Sequence, residues 1–128
     1  MIKAAREYDL EGSNMKVAEL KSVLGQQDIG KMNVLEFAKG AVINLQLKAG
    51  QSIGRHHTPS DAIVHVVSGR VRFGIGEETV ELTRDVVLHM NPKEEHELEA
   101  VEDTSLLVIK IGDDTTCGKE KFLSRPKS

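Results

Sequence analysis

The sequence is poor in several residue types, and each shortage excludes a class of protein. Cys117 is the only cysteine, so the chain can form neither an intrachain disulfide nor a zinc site with several cysteine ligands. There is no tryptophan, and three Phe and one Tyr are the only aromatic residues, which leaves the core to be packed by Val, Ile and Leu. The longest apolar run, residues 106–109, is far shorter than the roughly 20 residues of a membrane-spanning helix.

Charge and the N-terminal sequence exclude further classes. The formal net charge is -3 at pH 7 and no segment concentrates Lys and Arg, so the basic surface of a nucleic-acid-binding protein is missing. The polar N-terminal residues lack the apolar segment of a signal peptide, and a single cysteine is typical of a reducing compartment. We therefore expect a cytoplasmic protein with neither a nucleic acid nor a membrane as its partner.

Length and hydrophobic pattern predict one β-domain with short additions at both ends. A chain of 128 residues fits one domain, since typical domains have roughly 100 to 150 residues. Residues 14–24 are predicted to form a short helix, because Val17, Leu20 and Leu24 are spaced by three and four residues. The expected divisions are an N-terminal extension that contains this helix (residues 1–33), the β-domain (residues 34–112) and a polar C-terminal tail (residues 113–128).

Alternation of apolar and polar residues predicts β-strands from residue 41 onward. Ile43, Leu45 and Leu47 alternate with Asn44 and Gln46, the pattern of a strand with one buried and one solvated face. The same period recurs at residues 71–75, 80–82 and 96–100, and turn sequences separate the strands at Ala49-Gly50, Ser68-Gly69 and Asn91-Pro92. These features predict an all-β antiparallel sandwich or barrel.

The histidines are the side chains to examine for chemistry, because imidazole is the commonest neutral ligand of divalent metals. His96 shares its predicted strand face with Leu98 and Ala100, so it is expected to point inward. His56 and His57 are adjacent, and in a regular strand only one of them can face the interior.

The stretch that contains this pair resembles the first cupin motif. That motif reads Gly, five residues, His, one residue, His, three or four residues, Glu or Gln, six residues, Gly. Anchored on Gly50 and Gly69, the sequence has His56 at the first histidine position, Thr58 at the second and Ala62 at the acidic or amide position. Two of the ligands that the family pattern implies are therefore replaced by residues that do not ligate metals well.

A second stretch, residues 84–96, is similar to the second cupin motif. It contains the Asp, the apolar run, the Pro92 turn and the final His96, but Arg84 and Lys93 stand where the motif has glycines. The resemblance covers roughly residues 34–111 and implies a double-stranded β-helix, that is, a jelly-roll barrel of two antiparallel sheets preceded here by the short helix. It also implies a homodimer, and the apolar residues of the second strand face are consistent with one: Ile63, Val67 and Val87.

The resemblance implies a pocket inside the barrel that opens at one end. Its predicted lining is mostly apolar with two imidazoles: His56, His96, Phe73, Leu45, Val64 and Leu88, together with Ile43, Val66 and Leu98. His56 and His96 are the candidate metal ligands, but two side chains rarely hold a divalent ion tightly. The alternatives for a third ligand are His57, if the segment before Pro59 is irregular, and Asp61 or His65, if a bulge reverses the strand parity.

Two functional hypotheses follow. The first is a binding protein whose pocket holds a small organic ligand, with or without a weakly held metal. The second is an isomerase- or oxygenase-type enzyme in which His56, His96 and His57 hold Zn, Fe, Mn or Ni. The replacements at Thr58 and Ala62 favour the first hypothesis.

Overall fold

All regular secondary structure is β-strand in the residues that the structure, a computed structural model, describes: the backbone of residues 5–9, and residues 16–24 and 29–112 with their side chains. The strands are β1 (Ala5–Asp9), β2 (Lys16–Leu20), β3 (Ile29–Phe37), β4 (Gly40–Leu47), β5 (Ser52–His56), β6 (Asp61–Ser68), β7 (Val71–Ile75), β8 (Glu78–Leu82), β9 (Val87–Met90), β10 (His96–Ala100) and β11 (Thr104–Ile111). The expected all-β class is confirmed.

The strands form two main antiparallel sheets and a hairpin. One sheet has five strands in the order β3-β4-β11-β6-β9, and the other has four in the order β5-β10-β7-β8. Strands β1 and β2 pair only with each other within the described chain. Strand β3 begins at Ile29, so the five-stranded sheet includes residues that we assigned to the N-terminal extension.

The core lies between the inward faces of the two main sheets. Leu45, Val64 and Leu106 come from the five-stranded sheet, and Phe73 and Leu98 from the four-stranded sheet; all five are buried in one cluster. Leu106 pairs with Leu45 on β4 and with Val66 on β6. Alternation with period two thus brings aliphatic side chains from separate strands to one interior, as the composition predicts.

The helix expected over residues 14–24 is not confirmed. Residues Lys16–Leu20 form β2, which pairs with β1, and the next three residues are irregular; Asn14, the expected cap, lies outside the described residues. Val17, Leu20 and Leu24 have helical spacing, but side-chain and strand hydrogen bonds hold this segment extended. Tertiary contacts therefore override a weak local pattern.

Gln46 attaches this segment to the sheet. Its Oε1 accepts a hydrogen bond from the Val23 backbone N–H (2.7 Å), and its Nε2 donates to the Lys21 carbonyl (2.8 Å) and to Asn44 Oδ1 (2.8 Å). Asn44 Nδ2 in turn donates to the Leu106 carbonyl at 2.9 Å. The face of β4 that alternation predicts to be solvated is therefore covered, and Asn44 and Gln46 are 0% and 2% exposed.

Replacing Gln46 with methionine should destabilise the protein by about 2 kcal/mol or more. The variant keeps the volume but leaves the Val23 N–H, the Lys21 carbonyl and Asn44 Oδ1 without this partner in a buried place. Gln51→Met is the matched control, because the Gln51 side chain accepts an exposed hydrogen bond from Lys48 N, and it should change stability by less than about 1 kcal/mol. Urea unfolding measures the stability of both variants. Equal losses would contradict the role of Gln46 in holding Lys21 and Val23 against the sheet.

The predicted C-terminal tail lies outside the residues that the structure describes. The polar tail at residues 113–128, which includes Cys117, is not described. None of the described residues forms a helix long and apolar enough to cross a membrane.

Candidate functional site

A cavity of about 410 Å³ lies between the two sheets, and both contribute to its wall. The size falls within the range of roughly 300 to 1,000 Å³ that is usual for small-molecule sites. Most of the wall is apolar, and the full set of lining residues is Lys31, Ile43, Leu45, Ile53, His56, His57, Thr58, Pro59, Ala62, Val64, Phe73, Met90, His96, Leu98, Val108 and Lys110.

Five of the six predicted pocket residues line this cavity: His56, His96, Phe73, Leu45 and Val64. Leu88, the sixth, does not line it; it is half-buried and packs against the core. Met90, two residues further on and on the same strand face, takes its place and pairs with the small Ala62. Val66 also belongs to the buried core rather than to the cavity wall.

The two predicted histidines are partners across neighbouring strands. His56 at the end of β5 pairs in register with His96 at the start of β10, and their ring centroids are 4.2 Å apart at an interplanar angle of 65°. His96 is 5% exposed, whereas His56 lies at the cavity mouth. Phe73 stacks on the His96 ring with centroids 5.7 Å apart, which limits how that imidazole can rotate.

Backbone carbonyls determine which nitrogen of each ring is available. His56 Nδ1 lies 2.7 Å from the Gly54 carbonyl oxygen, and His96 Nδ1 lies 3.0 Å from that of Glu94. A carbonyl only accepts hydrogen bonds, so each Nδ1 must carry the proton and donate. In the neutral rings each Nε2 is then an acceptor, the arrangement that suits a metal ligand or a hydrogen bond from a bound molecule.

Burial favours the neutral form of the His96 imidazole. Desolvation is the largest cause that lowers the pKa of His96 below its ordinary value; the hydrogen bond to Glu94 opposes it, and the nearby His56 lowers the pKa further. The Nε2 lone pair of His96 is therefore available at pH values where an exposed imidazole is already partly protonated.

The free energy of unfolding should therefore fall as the pH drops below 6.5, the ordinary value for histidine. In that range the unfolded chain protonates His96 and the folded chain does not, so the unfolded state binds more protons and folding becomes less favourable. His96→Gln should reduce the difference in urea-unfolding free energy between pH 7.5 and pH 5.5. An NMR titration that gave His96 a pKa at or above 6.5 would contradict this account.

The segment before Pro59 is irregular, and it brings His57 to the cavity as well. Residues 57–60 belong to no strand; His57 lines the cavity mouth, and Thr58 is buried in the wall. The Thr58 carbonyl accepts a 2.7 Å hydrogen bond from the Lys93 backbone N–H, which joins this segment to the turn after β9. Thr58 and Ala62, the positions where the motif has ligands, both face the cavity.

The donor set does not fit a tightly held metal. Within the described residues, no group of three or more His, Cys, Asp or Glu side chains is placed to hold a metal ion, His57 with His56 and His96 included. Neither Asp61 nor His65 lines the cavity: Asp61 Oδ1 is 2.8 Å from His89 Nε2, and His65 Nε2 is 3.0 Å from the Arg84 carbonyl. The bulge that would turn them inward is not present, since β6 keeps regular register over residues 61–66.

The cavity residues absent from the predicted lining include two lysines, Lys31 on β3 and Lys110 on β11. Lys110 shares a strand face with Leu106 and Val108, so its inward direction could have been inferred from alternation. Lys31 pairs with the inward-facing Leu45 and so lies on the same face of the sheet. The sequence prediction leaves it out because it places residues 1–33 in an N-terminal extension outside the barrel.

Comparison with known proteins now assigns the family. A family model described as "Cupin domain" matches residues 44–112, more than half of the chain. The chain belongs to the cupin family. No curated protein matches this cupin.

Solved structures agree with the fold. A conserved protein of unknown function from Streptococcus pyogenes is 29% identical, with a TM-score of 0.61, and the alignment covers 67% of this chain and 76% of that one. An RmlC-like cupin from Desulfovibrio desulfuricans is 22% identical, with a TM-score of 0.64 and coverage of 80% and 97%. An RmlC-like cupin with a double-stranded β-helix fold from Methanocaldococcus jannaschii is 12% identical, with a TM-score of 0.69 and coverage of 84% and 99%. The jelly-roll barrel is thereby confirmed, whereas these relatives assign no activity.

Proposed function

We propose that this cupin binds a small organic molecule in the cavity between its sheets, and that His56 and His96 orient the molecule through Nε2. One observation carries the proposal. Two imidazoles have Nδ1 committed to backbone carbonyls, and both line an apolar cavity of about 410 Å³. A ligand hydroxyl or N–H group would donate to Nε2, while its body would displace water from Leu45, Val64 and Phe73.

Metal-dependent chemistry is the second candidate, because the same Nε2 atoms are suitable ligands for Zn, Fe, Mn or Ni. His56 and His96 would hold the ion, and His57, which lines the same cavity, would have to move to supply a third ligand. A bound ion would act as a Lewis acid or an oxygen-activating centre for isomerase- or oxygenase-type reactions. This candidate predicts that His57→Ala weakens metal binding at least about 10-fold, a loss that the first candidate does not predict.

NMR titration of the chelator-treated protein tests the first candidate. The probes are cyclohexanecarboxylic acid, cyclohexanecarboxamide and cyclohexylamine, which share one apolar ring and differ in head group. At least one should shift the resonances of His96 and Val64 in the cavity while leaving those of Val80 on the four-stranded sheet unchanged. If none of the three shifts His96 or Val64, the proposed function is wrong.

We also propose that a second copy of the chain covers the outer face of β6 and β9 in the five-stranded sheet. Ile63 and Val67 are half-buried there, and Val87, paired with His65 between them, is 65% exposed. A monomer would leave this apolar group in water.

Val87→Lys should convert a dimer to a monomer, because it places a charge in the proposed interface. The control Val80→Lys, on the other sheet, should leave the dimer intact. Sedimentation equilibrium measures both variants, and a monomeric wild type would overturn the proposal.

A further inference from the structure

Two lysines line the cavity on the five-stranded sheet, one on β3 and one on β11, the two strands that flank β4. Lys110 lies on the inward face of β11 and pairs with two small residues, Ala41 and Ala62, which leave space around its side chain. Lys31 lies on β3 opposite Leu45, and both lysines line the cavity. Lys110 and His96 are close enough for the lysine charge to affect the imidazole, so the cations and the imidazoles act on one enclosed space.

No carboxylate balances these charges in the part of the chain that the structure describes. The lining contains no Asp or Glu, and neither lysine forms an ion pair with a described residue. Two arginines outside the cavity differ in this respect: Arg72 Nη1 on β7 lies 3.1 Å from Glu99 Oε1, and Arg70 Nη1 in the turn before β7 lies 3.6 Å from Glu81 Oε1. A protein with a net charge of -3 thus has a locally cationic cavity.

The surroundings of Lys110 disfavour the charged form of its side chain. Burial is the main factor that lowers the pKa of Lys110, and the charge of Lys31 lowers it further. A half-buried ammonium group without a counterion is unfavourable, so an anion that enters the cavity gains more from it than from a solvated lysine. A cationic ligand would be repelled by the same two groups.

The shape and composition of the cavity favour a carboxylate over a phosphate. Phosphate groups are usually held by many backbone N–H donors, often at a helix N-terminus, and the described residues form no helix. Two ammonium groups beside a mostly apolar wall, with few other donors, instead suit a single negative charge attached to a compact hydrocarbon body.

We infer that the ligand of this cupin is a small carboxylic acid, whose carboxylate lies between Lys31 and Lys110 and whose apolar body contacts Leu45, Val64 and Phe73. The inference rests on the proposed binding function and adds the chemical class of the ligand. It assigns the lysines a role in binding that neither cupin motif contains. The imidazoles of His56 and His96 remain available for a second polar group of the same molecule.

Dissociation constants of the same three cyclohexane probes test this inference at pH 7. Cyclohexanecarboxylate should bind at least about 10-fold more tightly than the amide, since hydrogen bonds between two charged groups are stronger than those to a neutral amide, and cyclohexylamine should bind most weakly. An amide or amine that binds as tightly as the acid would overturn the carboxylate inference and leave the proposed function in place. If no probe binds, both fail.

Neutral variants locate the carboxylate. Lys110→Met should weaken the binding of cyclohexanecarboxylate about 10-fold or more and leave that of the amide unchanged, and Lys31→Met should have a smaller effect because Lys31 is more exposed. Lys48→Met is the matched control, an exposed lysine outside the cavity, and should change neither. Lys110→Met should also raise the melting temperature of the ligand-free protein, because it removes an unpaired charge. Retention of full carboxylate affinity in the double variant Lys31→Met/Lys110→Met would refute the assignment.

Discussion

The double variant Thr58→His/Ala62→Glu is expected to bind Zn²⁺ about 10,000-fold more tightly than the wild type. Four-ligand zinc sites have binding free energies of roughly 10 to 16 kcal/mol, which is about 2.5 to 4 kcal/mol, or two to three orders of magnitude, for each ligand. Thr58 and Ala62 both line the cavity, so the new imidazole and carboxylate would enter open space rather than packed core. Together with His56 and His96 they would complete the set that the cupin motif implies.

Competition with a chromophoric chelator measures this gain, and two controls define its origin. Thr58→Val/Ala62→Leu changes the volume at the same positions without adding ligands and should leave Zn²⁺ affinity at the wild-type level. Adding His96→Ala to the restored variant should remove most of the gain. A folded restored variant without increased affinity would contradict the register that places Thr58 and Ala62 at the ligand positions.

The second large effect is expected for Gly69→Ala, which should destabilise the protein by at least about 4 kcal/mol. Gly69 has a φ of +95° in the turn between β6 and β7, a region that side chains with a Cβ rarely adopt. An added Cβ would also overlap the Asp103 carbonyl oxygen and Thr104 Oγ1. Thr104 is fully buried and its hydroxyl bonds to the backbone of Arg70, so it has no room to move.

Gly50→Ala separates the two contributions. Gly50 has nearly the same φ, +90°, but no other atom lies within 4 Å of the place that a Cβ would take. This control should cost only about 1 to 2 kcal/mol of backbone strain. Urea unfolding measures both variants. Equal losses in the free energy of unfolding would show that the close approach of Gly69 to β11 does not contribute to the cost of Gly69→Ala.

These two glycines also explain why the sequence predicted the barrel well. Both anchor positions of the first motif adopt left-handed backbone conformations, so the motif records turns that require glycine. Lys93 is informative in the same way, because it stands where the second motif has glycine and still adopts a φ of 69°. The turn after β9 therefore has the left-handed conformation even though Lys93, a residue with a Cβ, is strained there.

Alternation along the strands predicted which side chains face inward, but it could not predict contacts between residues that are distant in the sequence. It placed His96 correctly inward, and the motif register selected His56. It could not reveal that Gln46 is covered by residues 21–24, because that contact joins distant parts of the chain. Alternation puts Lys110 on the inward face of β11 with Leu106 and Val108, but it does not show that this end of the face borders the cavity, which depends on the sheet order with β11 between β4 and β6. Leu88 was placed in the pocket because parity identifies a face and not a depth along it.

The central claim is that this cupin has a depleted ligand set and a cavity that serves an organic molecule rather than a resident metal. Elemental analysis of the protein, purified without chelator and without tag histidines, tests it most directly. We expect far less than one metal ion per chain, also after incubation with Zn, Mn, Fe or Ni salts followed by desalting, because no third ligand joins His56 and His96 in the described residues and two protein ligands rarely hold a divalent ion tightly. Close to one metal ion per chain in the wild type, lost in both His56→Ala and His96→Ala, would contradict the account.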